Sequence, residues 1–386
     1  MEILLLLAFA FLFTFLVGRI LENIKIPWLF AALVLGVVLS PFEFFQSIAS
    51  SDSFKFLAQL GMYFLLFIIG FEMDLRDLRR RGKFIVEATF FIILFEALFG
   101  SLMIHYLFNY DWIISILIAI SFATVGEAIL VPILEDQRIF KTKLGQMIID
   151  IGVFDDLFEV ACLLIVSILV SHVGPSTIHQ TSFSIFSIFI IFSLAYGLTK
   201  LKKKAFRFKI PDIETLFVFA VSLFFIFIGI GKYADAAPIG AILAGVALKN
   251  FIPPQRLKFI ESEIKTMCYG LFAPIFFLHV GMSVNLMKVA SFLHLLFIVV
   301  IVVCIAKIIG SIVASGKKIG LRTSFLLGLG LSTRFSTSLV VLSILLSNGL
   351  IGSKLYSILV SSTIIFAFII PLLFSYLVRK WRNVIK

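Results

Sequence analysis

Asp155 and Asp156 stand side by side in the stretch "IDIGVFDDLFEVACLLIVS", residues 149–167, with Asp150 before them and Glu159 after. Adjacent carboxylates in a low-dielectric setting cannot both ionise easily, so one keeps its proton or a cation stands between them. The same oxygens hold a hard monovalent cation when deprotonated and lose it when protonated, and they titrate as a coupled set. On a helix Glu159 is i+4 from Asp155 and i+3 from Asp156, so it shares their face. Further charged residues inside apolar stretches that stand out are Glu127, Lys307 and Arg334. Lys307 is a candidate counter-ion. Paired with Asp155 while Asp156 faces a cavity, it would let ion release and lysine pairing alternate. The plainer alternative is that these charges only lock helices together through buried pairs, which are weak stabilisers.

The elements that must position these groups are membrane-spanning. Of 386 residues 61% are hydrophobic and 14% charged, where a soluble protein would be about 25% charged. Apolar runs recur from one end to the other, and none alternates with a period of two for long enough to suggest a barrel. The composition therefore gives an all-α polytopic membrane protein. An ionised side chain near a bilayer centre costs roughly 2.5–3.5 kcal/mol, so such residues are usually functional. Cys162, Cys268 and Cys304 lie in apolar segments without CxxC spacing and read as small core residues. The opening "MEILLLLAFAFLFTFLVGRI" lacks a basic n-region and a small-residue cleavage site, so it reads as a retained first span. No cofactor is expected beyond the transported ions.

Thirteen stretches approach the length a span requires: 2–22, 27–46, 54–72, 84–108, 112–134, 142–171, 181–199, 213–231, 237–250, 264–284, 289–314, 321–347 and 355–378. Twenty-seven of the 33 Lys and Arg residues fall in one set of alternate loops and at the C-terminus, and four in the opposite loops. By the positive-inside rule the N-terminus is outside and the C-terminus cytoplasmic. The net charge of +11 is thus a matter of topology and not of a nucleic-acid partner, with contact to anionic lipid headgroups at the basic cytoplasmic loops.

Thirteen divides as six, one and six, which places two six-helix repeats in inverted orientation around a linker helix. The fifth span contains "SFATVGEAILVP", with Thr124, Gly126, Glu127 and Pro132; its counterpart, the twelfth, contains "GLGLSTRFSTS", with Ser332, Thr333 and Arg334. Both put helix-weakening and polar residues at mid-span. Small residues there can serve close helix packing; matched breaks in the two halves are also where inverted-repeat transporters bind their substrates.

Five segments carry a family resemblance: "IPWLFAALVLGVVLSP", "QLGMYFLLFIIGFEMDLRDLRR", "GVFDDLFEV", "GAILAGVALKN" and "APIFFLHVGMSVNL". With them the chain resembles bacterial monovalent cation/proton antiporters of the sodium/proton-exchanger superfamily, the paired-aspartate type. The resemblance implies exchange of Na⁺, with K⁺ or Li⁺ as further candidates, for H⁺ in a bacterial inner membrane. It implies a homodimer made by a panel domain (1–83 and 213–288). A mobile core (84–171 and 289–378) would move like an elevator, with 172–212 as linker helix and cytoplasmic loop. The fifth and twelfth spans would be unwound and crossed. Asp156 would be the common ion-binding aspartate, Asp155 the variable residue before it, and Lys307 the lysine that pairs with it. Thr124 and Glu127 join the expected ion site; Ser332 and Thr333, like Glu159, are accessory to it. The family's twelfth-span motif usually reads Arg-Gly-Glu, whereas Phe335 and Ser336 follow Arg334 here. Because those spans would cross, Glu127 is the candidate to supply the missing charge beside Arg334.

Two other classes remain. A cation-coupled solute symporter of similar architecture is the second reading. An intramembrane aspartyl protease needs its aspartates on two facing helices, and here they are neighbours on one.

Overall fold

A computed structural model describes residues 2–73, 82–123, 125–155, 158, 178–200, 213–233, 236–252 and 254–382. Every regular element among these residues is helical, as expected where the bilayer offers no partner for a free backbone group. In chain order they are α1 (Glu2–Asn23), α2 (Phe30–Leu39), α3 (Glu43–Ser50), α4 (Asp52–Glu72), α5 (Lys83–Phe108), α6 (Trp112–Phe122), α7 (Glu127–Asp136) and α8 (143–155). Then come α9 (Ile178–Lys200), α10 (Ile213–Lys232), α11 (Ala237–Phe251), α12 (Pro254–Lys265), a π-helical turn (Thr266–Phe272) and α13 (Ala273–Met282). The last are α14 (Leu286–Ser291), α15 (Leu293–Ile319), α16 (Leu321–Leu331), α17 (Ser336–Ser347) and α18 (Ser353–Lys380). Seven of the described helices are long and apolar enough to cross a membrane, or nine if each of two bent pairs is one span.

One of those pairs is α2 and α3, which meet at 119° inside the stretch 27–46 that hydropathy reads as one span. The cause is local. Pro41 has no N–H to continue the ladder, Phe42 is extended (φ −90°, ψ 120°), and Glu43 opens the next helix with an acid in its first turn. The other pair is α16 and α17, bent by 49° around residues 332–335.

The chain divides into two compact units. The first comprises Met1–Ser51, Arg76–Cys162 and Phe277–Lys386. At one end of it Lys25 Nζ lies 3.3 Å from Asp136 Oδ1, and Arg379 Nε donates to Gln137 Oε1 at 3.2 Å. At another, the Gly352 N–H donates to Tyr110 Oη at 2.7 Å and Lys288 Nζ to Ser353 Oγ at 2.6 Å. The loops that the basic-residue count assigns to one side thus meet each other, and those of the other side do likewise. Aromatic packing fills the interior: Phe335 stacks on Phe277 at 5.4 Å and lies 5.0 Å from Phe30.

The second unit comprises Asp52–Leu75 and Leu163–Phe276. Phe64 is sandwiched between Phe224 and Phe272, at 4.0 and 4.2 Å between ring centres. At the end of α4, Glu72 takes an ion pair from Lys265 at 3.0 Å, and its carbonyl accepts from Lys249 Nζ at 2.8 Å.

In the first unit α16 presses on α15 at Gly328. A Cβ there would sit 2.6 Å from Ile308 Cα and 2.8 Å from the Lys307 carbonyl oxygen, both fixed backbone atoms. Replacing Gly328 by Ala forces the two helices apart at Lys307. The expected cost is about 1–3 kcal/mol, read as a lower thermal midpoint of the detergent-solubilised protein.

Candidate functional site

The site begins with two interrupted helices. α6 ends at Phe122 and α7 starts at Glu127; α16 ends at Leu331 and α17 starts at Ser336. A broken helix leaves N–H and C=O groups without intrahelical partners, and at membrane depth those must be satisfied inside the protein. Each break supplies the other. The Gly126 N–H donates to the Thr333 carbonyl at 2.7 Å, and the Thr333 hydroxyl donates to the Gly126 carbonyl at 3.4 Å and to the Gly330 carbonyl at 3.0 Å. Gly126 allows this approach, since a Cβ at that position would lie 3.0 Å from the carbonyl carbon of Arg334.

Two further groups of the α6–α7 break meet ions of matching sign. The Ala123 carbonyl, at the negative end of α6, accepts from Lys307 Nζ at 2.6 Å. The Val125 N–H, leading into the positive end of α7, donates to Asp155 Oδ2 at 2.7 Å. These are the placements that helix dipoles favour.

A fourth ion holds the arrangement together. Glu96, in the middle of α5, takes Lys307 Nζ on Oε2 at 3.0 Å and Arg334 Nη2 on Oε1. The Arg334 guanidinium also lies over the Phe122 ring at 4.3 Å and the Phe366 ring at 5.5 Å, a favourable cation–π placement. Glu96, Asp155, Lys307 and Arg334 are all at most 3% exposed. Asp155 lies within electrostatic reach of the other three. Their charges cancel, which is what makes four ions tolerable in one buried place. Arg334 still carries two donors, Nε and Nη1, without a hydrogen-bond partner among the described residues.

Against the sequence reading, the structure brings Asp155, Lys307, Arg334, Ser332 and Thr333 into one region. It changes one pairing. Lys307 forms its ion pair with Glu96 and not with Asp155, because Asp155 is taken by the Val125 N–H and Lys307 is drawn to the α6 carbonyl end. Among the described residues the carboxylate beside Arg334 is Glu96, reaching in from α5. Ser332 turns its hydroxyl back to the Gly328 carbonyl at 2.8 Å, so it caps its own helix end. Thr124, Asp156, Glu159 and the Glu127 side chain lie outside the described residues.

A family model described as "Sodium/hydrogen exchanger, transmembrane" matches residues 7–380. The chain belongs to this family. It is an integral membrane transporter and not an enzyme. It is 28% identical over 365 residues (93% of this chain, 92% of the relative) to the probable Na(+)/H(+) antiporter 3 of Methanocaldococcus jannaschii. With the Na(+)/H(+) antiporter of Enterococcus hirae it shares 25% identity over 340 residues, 84% of either chain. Among solved structures, the sodium proton antiporter MjNhaP1 of Methanocaldococcus jannaschii superposes with a TM-score of 0.68 at 17% identity. The match covers 97% of this chain and 100% of that one and supports the same helical fold.

In the sequence of this exchanger Glu96 did not stand out as a site residue. The signal was present: an acid in "FFIILFEALFG" sits as deep in an apolar run as Asp155 does. Removing one partner of a buried ion cluster is costly because it leaves an uncompensated charge. Arg334→Ala should therefore lose about 3–5 kcal/mol of stability and the ring contacts with it. A thermal melt in detergent measures this, and a midpoint equal to wild type would show that the guanidinium contributes nothing.

Proposed function

We propose that the chain is a secondary antiporter that exchanges one class of ion, a monovalent cation, for H⁺. Na⁺ is the first candidate, as the printed names of the relatives suggest, with K⁺ or Li⁺ as further ones. The observation that carries this reading is the buried cluster at the two helix breaks, where Asp155 is held by a backbone N–H and followed in the chain by a second aspartate. The described charges of the cluster cancel, so Asp156 adds the carboxylate that a cation or a proton can neutralise. Asp156 is the principal ion ligand in this reading and Asp155 its partner. Thr124 and Glu127 are assigned to the same ion site in this reading, and Glu159 is accessory to it. Ser332 and Thr333 are accessory. Lys307 and Arg334 compensate charge.

The finer architecture belongs to the same proposal. Thirteen spans form two inverted repeats with the two broken helices crossed. The N-terminus is outside and the C-terminus cytoplasmic, in a bacterial inner membrane. The transport core, 84–171 and 289–378, moves in an elevator-like manner against a panel, 1–83 and 213–288, that makes a homodimer, with 172–212 joining them. Basic loops meet anionic lipid headgroups. The family relatives bear names of cation/proton antiporters, which favours exchange over the symport of an organic solute.

The test uses the purified protein in sealed vesicles that enclose a pH dye, with Na⁺, K⁺ and Li⁺ added in turn. The expected outcome is a pH change specific to one or more cations, reduced in Asp156→Asn to the level of protein-free vesicles. Absence of proton movement with every cation would overturn the reading.

A further inference from the structure

We propose that Glu96 is a positioning residue for this exchange: it holds Lys307 and Arg334 in place as counter-charges near Asp155, so that the region is balanced to receive the cation. The proposal rests on the exchange reading above. Its grounds are geometric. Lys307 makes two contacts at once, an ion pair with the Glu96 carboxylate at 3.0 Å and a hydrogen bond to the Ala123 carbonyl at 2.6 Å. Its charge answers both the carboxylate and the α6 carbonyl end. Asp155, by contrast, is held by a neutral N–H group.

Among the described residues the charged groups that face Glu96 are Lys307 from α15 and Arg334 from the break between α16 and α17, with Asp155 of α8 in electrostatic reach of all three. With Glu96 ionised these four carry no net charge. Neutralising Glu96 alone leaves a surplus positive charge in the low-dielectric region that must receive a cation. Cation binding then weakens, while the aspartates themselves are unaltered. Neutralising Lys307 together with Glu96 restores the balance, and exchange returns.

The experiment measures initial rates of cation-driven proton movement in sealed vesicles against cation concentration, using whichever cation supports wild-type exchange. Glu96→Gln should raise the apparent KM for that cation roughly tenfold, equivalent to about 1.4 kcal/mol, with the maximal rate much less affected. Glu96→Asp and the double variant Glu96→Gln/Lys307→Gln should return KM to within about threefold of wild type. An unchanged KM in Glu96→Gln overturns the proposal, as does a folded double variant that exchanges nothing. If Glu96→Gln alone fails to fold, a double variant that folds and exchanges supports the clamp; one that also fails to fold overturns it. Wild-type vesicles that exchange no cation sink the underlying antiport reading as well, so the two failures are distinguishable.

Discussion

Moving an ion out of water into a medium of low dielectric costs several kcal/mol even after the surroundings relax, and the first unit gathers four such ions in one place. What makes this possible is the carboxylate of Glu96, shared between an ammonium and a guanidinium. It joins α5 to α15 and to the α16–α17 break, segments 211 and 238 residues away along the chain. Without it, two cations would face each other across a dry interior. The positions of Lys307 and Arg334, and through Lys307 the position of the Ala123 carbonyl, all follow from where that carboxylate sits.

The two helix breaks solve the complementary problem. An interrupted helix exposes dipole ends that water would normally satisfy. Here the negative end of α6 takes a lysine, the N–H at the start of α7's approach takes an aspartate, and further groups pair across the two breaks. Backbone that would otherwise be a cost becomes part of what holds Lys307 and Asp155 in place. Charges and breaks stabilise each other, and neither would be tolerated at this depth alone.

Much of this was legible in the sequence. Hydropathy located the long helices, since a span is mainly a matter of length and apolarity. The glycines and hydroxyl residues of "SFATVG" and "GLGLSTR" marked both breaks, because they weaken a helix and admit a neighbour. Lys307 and Arg334 stood out as cations in apolar runs. Pairing was not legible. Which acid meets which base depends on tertiary approach: Lys307 and Asp155 form a natural pair on paper, yet α5 delivers Glu96 between Lys307 and Arg334. The bend between α2 and α3 escaped for a related reason. A hydropathy window averages over Pro41 and carries no angle, whereas the missing N–H of that residue turns the chain by 119°.

The contacts that build the site end on two kinds of atom. At Ala123, Val125 and Thr333 the partner is main chain, so the side chains at 123 and 125 are free to drift over generations without disturbing the bonds that Lys307 and Asp155 make. At Glu96, Lys307 and Arg334 both partners are side chains. A change of charge at any one of those three positions unbalances the other two. The sign of the cluster is therefore stored in three codons scattered along the gene, while its shape is stored in the backbone.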